Sequence, residues 1–230
     1  MSVLEPAPEG IGGLYPFLYA GQADTDSTLT EANRSTAEKA AEIVRLRRQM
    51  AAESGAELAE CAEEMALRFT SGGRLFTFGN GGSSTDAQEV ATTFLHPSHG
   101  RPLPALSLTS DIAVVTALSN DVGFEVVFAR QLAALGRPGD IAFGLSTSGG
   151  SCNVVQAFKE AAHRGMLTVG LAGDQGGRLA ELDLLDYLFV VPSSSVHRIQ
   201  EAQTTVYHVL WELTQHALDS ISVPRGHSPG

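Results

Sequence analysis

From Arg74 onward the chain repeats one pattern: a short β-type run, a turn rich in glycine or hydroxyl residues, and a helical segment. The runs fall at Leu75–Phe78, Ala105–Leu108, Asp140–Leu145, Leu167–Leu171 and Tyr187–Val191. Strands that each lead into a helix must be parallel, because a parallel pair needs a crossover where an antiparallel pair needs only a tight turn. The repeat therefore predicts a doubly wound α/β body with a sheet of about five parallel strands and helices on both faces. Its last helix spans about 196–218, with Ile199, Val206, Leu210 and Leu213 as the buried stripe.

The flanks follow different rules. Pro6, Pro8, Gly10, Gly12, Gly13 and Pro16 make residues 1–30 an irregular extension, although Leu14–Tyr19 is apolar enough to dock. Residues 31–53 are rich in Ala, Glu and Arg, with Ile43, Leu46 and Met50 at helical spacing. A second helix is predicted after Gly55, with Leu58, Met65 and Phe69 inward and a stop at Ser71-Gly72-Gly73. The expected organisation is one domain over 31–220, opened by this helical hairpin, and a flexible tail over 221–230.

The 230 residues carry 15 Lys and Arg against 26 Asp and Glu, a formal charge of −11, which argues against a nucleic-acid clamp with its basic stripe. No run approaches the 18 or so apolar residues of a membrane helix, and MSVLEPAPEG lacks the basic and apolar regions of a secretory signal. Cys61 and Cys152, far apart, read as reduced thiols, and a cytoplasmic location is expected. Cys152 lies at a helix start without a His or Asn partner nearby, and reads as a small packing residue.

Two loops carry the chemistry. The first run ends in Gly79-Asn80-Gly81-Gly82-Ser83, and the third in Ser146-Thr147-Ser148-Gly149-Gly150-Ser151. Each joins glycines, which permit sharp turns and close backbone approach, to hydroxyls and to the N–H groups of a following helix, a combination suited to an anion. Neither ends in the Gly-Lys-Ser/Thr of a nucleotide P-loop, and no acidic residue is placed for a dinucleotide ribose. Ligands of open parallel sheets sit where these loops fall, outside the carboxyl ends of the strands.

Five ordered motifs then carry a family resemblance: Gly79-Asn80-Gly81-Gly82-Ser83, Ser119-Asn120-Asp121, Ser146-Thr147-Ser148-Gly149-x-Ser151, Gly173-Asp174-Gln175-Gly176-Gly177 and Arg198-Ile199-Gln200-Glu201. Over about 35–220 the chain resembles the sugar isomerase (SIS) domain, in its phosphoheptose isomerase branch. The resemblance implies a flavodoxin-like sheet, a homotetramer with sites between subunits, and a phosphorylated sugar, sedoheptulose 7-phosphate, as substrate. It implies substrate contacts at Asn80, Gly81, Gly82, Ser83, Asn120, Asp121, Ser146, Thr147, Ser148 and Ser151, with the hydroxyl loop on the phosphate and the Asn80 loop on the sugar. Gln200 and His208 match positions used at the reacting carbons and as zinc ligands. Eight residues apart on a helix, they lie about 80° apart around its axis and can face one pocket.

The sequence departs from the family at the two remaining metal and acid–base positions, where a His and a Glu one turn apart are replaced by Glu89 and Thr93, and Thr93 is expected to remain a substrate-contacting position. A Thr hydroxyl cannot act as a base near neutral pH, whereas Glu89, one turn earlier on the same face, can reach the same cavity. Proton transfer is therefore assigned to His208 and Glu89, with Gln200 beside them; His96 is a conceivable further member. Glu89, Gln200 and His208 make a weakened zinc set, so zinc is possible and tight binding is not expected. The leading expectation is an aldose–ketose isomerase working through an enediol. The alternative is a non-catalytic SIS protein that binds a sugar phosphate or serves as an interaction platform, resembling the replication-initiator-associated member of the subfamily.

Overall fold

The computed structural model describes residues 25–222. The expected irregular extension and its Leu14–Tyr19 patch, and all but the first two residues of the expected tail, lie outside the described residues. Helix α1 spans Thr25–Thr70 without interruption, which corrects the predicted hairpin. Gly55 does not break it: a Gly in a helix interior costs about 1 kcal/mol relative to Ala. Burial of Met50, Leu58, Cys61 and Met65 on both sides of it offsets that cost. The chain divides into two units, Met1–Glu42 and Ile43–Gly230. In the first, residues 26–42 are helix, exposed except for half-buried Ser35 and Glu42, with Arg34 bonded to Glu31 and Glu38 on neighbouring turns.

The second unit holds a five-stranded sheet in the order β2-β1-β3-β4-β5, with every pair parallel. This is the flavodoxin-like order, whose switch point lies between β1 and β3. The strands are β1 (Leu75–Gly79), β2 (Ala105–Ser107), β3 (Ile141–Ser146), β4 (Leu167–Gly173) and β5 (Tyr187–Val191). All residues of β1, β3 and β4 are buried, as expected of strands covered on both faces. The helices are α2 (Gly82–Leu95), α3 (Ile112–Asp121), α4 (Val127–Leu135), α5 (Cys152–His163), α6 (Gly177–Glu181) and α7 (Val196–Ser222).

Strand alternation sorts the core into two layers. Leu75, Phe143 and Leu145 pack with α1, α2 and α7 through residues such as Met65, Val90 and Leu210. Phe76, Phe78 and Ala142 pack with α4 and α5 through Phe128, Leu132 and Phe158. Helix α3 is the exception: it is apolar in sequence, IAVVTALSND, and has no buried residue. Ile112 is 70% exposed, and a cleft of about 600 Å³ beside it is lined by Leu106, Val114, Leu118 and Leu135.

Candidate active site

Strands β1 and β3 are neighbours, with Gly79 in register with Leu145, so the two Gly-rich loops leave the sheet side by side at the switch point. After β1 the chain turns through Asn80 and Gly81 into α2, with the Asn80 carbonyl accepting from the Ser83 N–H at 3.0 Å. Ser83 is buried beneath this turn. After β3, Ser146 is buried and its hydroxyl lies 3.1 Å from that of Ser151, while Thr147 and Ser148 reach outward. No side chain caps α5, so its opening N–H groups face the hydroxyl loop and suit an anion. Thr147 and Ser148 line a cleft of about 230 Å³ together with Asp174, Ser194, Val196 and Ile199. Gly149 has φ +61, and a Cβ there would lie 1.9 Å from the Gly176 carbonyl oxygen. The Gly173–Gly177 motif thus supplies the backbone against which the hydroxyl loop is packed, a close approach that only glycine permits.

The proposed acid–base residues come from α2 and α7. The His208 Nε2 lies 3.8 Å from a Glu89 carboxylate oxygen, and both side chains are substantially exposed. Gln200, two turns before His208, lies against the start of α2, where a Cβ on Gly82 would come within 2.0 Å of its Nε2. Gly82 therefore matters for what it lacks. Glu89, His208 and Gln200 all lie between α2 and α7, and Thr93 follows Glu89 by one turn, half-buried.

Two residues that sequence reasoning missed join this set. Asn153, in the first turn of α5, is buried and exchanges two hydrogen bonds with Asn80. Asp86 stands one turn before Glu89 with one carboxylate oxygen buried and unpartnered. Burial, with the Glu89 charge second, pushes its carboxyl up to about 6. The neighbouring Tyr207 hydroxyl is likewise pushed up to about 12, chiefly by burial. The position of Asp86 in a Thr-Asp-Ala-Gln run one turn from Glu89 was a visible signal, whereas nothing local marks Asn153 as the partner of a residue so distant in sequence.

Other residues are placed apart. Asn120 and Asp121 bond to each other at 2.8 Å on the exposed end of α3. Among the described residues no hydrogen bond joins them to either loop. Cys152 is exposed, which corrects its reading as a packing residue, while Cys61 is buried. Trp211 is buried and makes an edge contact to His99, with ring centroids 4.8 Å apart.

The zinc set can be tested on its donors. Among the described residues no three His, Cys, Asp or Glu side chains converge, so His96 is not brought to Glu89 and His208. What remains is one carboxylate, one imidazole and the carboxamide of Gln200, with a Thr hydroxyl at position 93. A catalytic zinc takes three good protein ligands and keeps a fourth position open. These residues do not fit a tightly held zinc ion.

A doubly wound sheet with two hydroxyl- and glycine-lined loops at its switch point defines an α/β protein whose loops at the carboxyl ends of the strands have the chemistry that suits a small anionic ligand. The SIS domain family matches residues 40–173. A phosphoheptose isomerase of Roseiflexus sp. (strain RS-1) is 47% identical over 161 residues, covering 68% of this chain and 80% of that protein. One from Nitratidesulfovibrio vulgaris (strain DSM 19637 / Miyazaki F) is 44% identical over 183 residues, covering 79% and 87% respectively. The solved structure of phosphoheptose isomerase from Neisseria gonorrhoeae superposes with a TM-score of 0.74 at 35% identity, covering 82% of this chain and 99% of that one. The chain belongs to the SIS domain family, in its phosphoheptose isomerase branch.

Proposed function

We propose that the chain is a phosphoheptose isomerase, interconverting sedoheptulose 7-phosphate and the corresponding aldoheptose 7-phosphate. Relatives that carry this name at 41–47% identity, across most of their own lengths, favour it over the non-catalytic alternative. The observation that carries the chemistry is the pairing of Glu89 with His208 across the gap between α2 and α7. The reaction moves one proton between adjacent carbons and one between their oxygens, and so needs a carbon base and an oxygen acid–base in the same cavity.

In this reading the phosphate is held by Ser146, Thr147, Ser148, Ser151 and the opening N–H groups of α5. The Glu89 carboxylate takes a proton from C1 of the ketose, and the electron pair moves into a C1–C2 double bond as the C2 oxygen gains a proton from imidazolium His208. Neutral His208 then takes the O1 proton as Glu89 returns its own to C2, leaving an aldehyde at C1 and both residues in their starting states. Gln200 is placed to orient the two oxygens by hydrogen bonding. Two strong proton carriers suffice for this route, which does not pass through zinc.

The exposed apolar face of α3 supports a contact between copies of the chain, and a homotetramer in which Asn120 and Asp121 complete a neighbour's site is the assembly we infer. Among the described residues no helix is long and apolar enough to cross a membrane. An NMR assay of sedoheptulose 7-phosphate with purified protein tests the function: wild type forms an aldoheptose phosphate and His208→Ala does not. Binding of the substrate without product in the wild type would favour the non-catalytic alternative.

A further inference from the structure

The Asn80 loop and the hydroxyl loop leave adjacent strands but enter helices on opposite faces of the sheet. Helix α2 packs into one core layer and α5 into the other. Beyond the strand ladder, one hydrogen-bonded side-chain pair joins the first loop to the start of α5 among the described residues. Asn80 Nδ2 donates to Asn153 Oδ1 at 2.7 Å, and Asn153 Nδ2 donates to Asn80 Oδ1 at 2.9 Å. Asn153 is only 2% exposed. An Asn near a helix start commonly bonds its own backbone, yet this one spends its amide on a residue 73 positions away.

We propose that Asn153 is a positioning residue which, by holding Asn80, fixes the distance between the loop for the sugar end of the ligand and the loop for its phosphate. The proposal rests on the sugar-phosphate reading of the site given above. A carboxamide offers a donor and an acceptor together, so two of them closed face to face set both the separation and the relative angle of their loops. Each amide keeps one N–H and one lone pair, so Asn80 can still touch the ligand while its orientation is dictated by Asn153. A heptulose phosphate has its reacting carbons and its phosphate at opposite ends and must engage both loops at once. Inorganic phosphate engages only the hydroxyl loop. The pair therefore acts on ligands that span the loops and leaves single-loop ligands unaffected.

The test is calorimetric titration of the full chain with sedoheptulose 7-phosphate and, separately, with inorganic phosphate. It uses wild type, Asn153→Ala, Asn80→Ala and the double variant, each checked for folding by its thermal melt. We expect phosphate affinity to stay within about twofold throughout, and sugar-phosphate affinity to fall about tenfold or more in each single variant, as a misplacement on the order of 1 Å can produce. The double variant should be no worse than Asn80→Ala alone, because that variant already removes both the pair and the Asn80 contact that Asn153 orients. Should Asn153→Ala fail to fold, Asn153→Asp carries the test, since it keeps the size and the acceptor but loses the N–H that Asn80 Oδ1 accepts. Unchanged sugar-phosphate affinity in the single variants, a parallel loss of phosphate affinity, or losses that add in the double variant would each overturn the proposal. Wild type that binds sedoheptulose 7-phosphate no more tightly than phosphate would instead remove the substrate reading beneath it.

Discussion

At the end of the sheet where the strands begin, Asp140 stands one residue before β3 and is almost wholly buried. One of its oxygens accepts from the Arg74 N–H at 2.9 Å, and the other from the Arg74 guanidinium at 2.8 Å and the Arg137 N–H at 2.9 Å. Asp186 does the same work one residue before β5, accepting from the N–H and the hydroxyl of Thr168, both at 2.8 Å. At the opposite end the acidic and hydroxyl groups are left open. Among the described residues Glu89 meets only His208 at ion-pair distance and one Asp86 oxygen has no partner, while Ser148 reaches solvent. The same side-chain chemistry is used for cohesion at one end and kept available at the other. Stability and reactivity should therefore respond to different residues.

The largest effect should come from the open end. Glu89→Gln keeps size and removes the proton carrier, so turnover of sedoheptulose 7-phosphate should fall about 10²–10⁴-fold, measured by NMR, with the melting temperature nearly unchanged. At the closed end, Asp140→Ala should cost about 1–3 kcal/mol in denaturant unfolding, because it strips the half-buried Arg74 guanidinium and two backbone N–H groups of their acceptor. A large stability loss from Glu89→Gln would break the contrast between the ends.

Asp86 lies between these extremes and carries a pH signature. Its carboxyl is raised from 3.8 to about 6, so the folded chain holds that proton more tightly than the unfolded chain. Its stabilising contribution is fully present below the unfolded value and is lost as pH rises through about 6. Asp86→Asn should therefore melt about 2–4 °C above wild type at pH 8 and level with it near pH 4, as followed by circular dichroism. The smallest expected effect is that of metal removal: dialysis against a chelator should leave turnover within about twofold, because the donors at the open end do not make a zinc site.

How much of this was legible in the sequence depended on whether the determining contact was local. All five strands were found with their ends within two residues, because runs covered on both faces read as continuous apolar segments. The glycine and hydroxyl loops were legible for the same reason, their turn chemistry being written in consecutive residues. Glu89 and His208 were paired in advance from helical spacing and family resemblance together, and the fold brings them to 3.8 Å. Helix α1 was misread because Gly55 looks like a breaker, while the packing that overrides it comes from the rest of the fold. The Asn80–Asn153 pair and the burial of Asp86 could not be seen, since each is set by segments distant in sequence.

At the open end Glu89 is proposed to move a proton between C1 and C2 of the sugar while His208 moves one between their oxygens. Incubating sedoheptulose 7-phosphate with the protein in D₂O and following the C1 and C2 hydrogens by NMR tests it directly. The account predicts deuterium at C2 of the aldose product and exchange at C1 of the ketose with wild type, and neither with Glu89→Gln. Exchange at the wild-type rate in Glu89→Gln, or tight binding by wild type with no exchange at all, would contradict it.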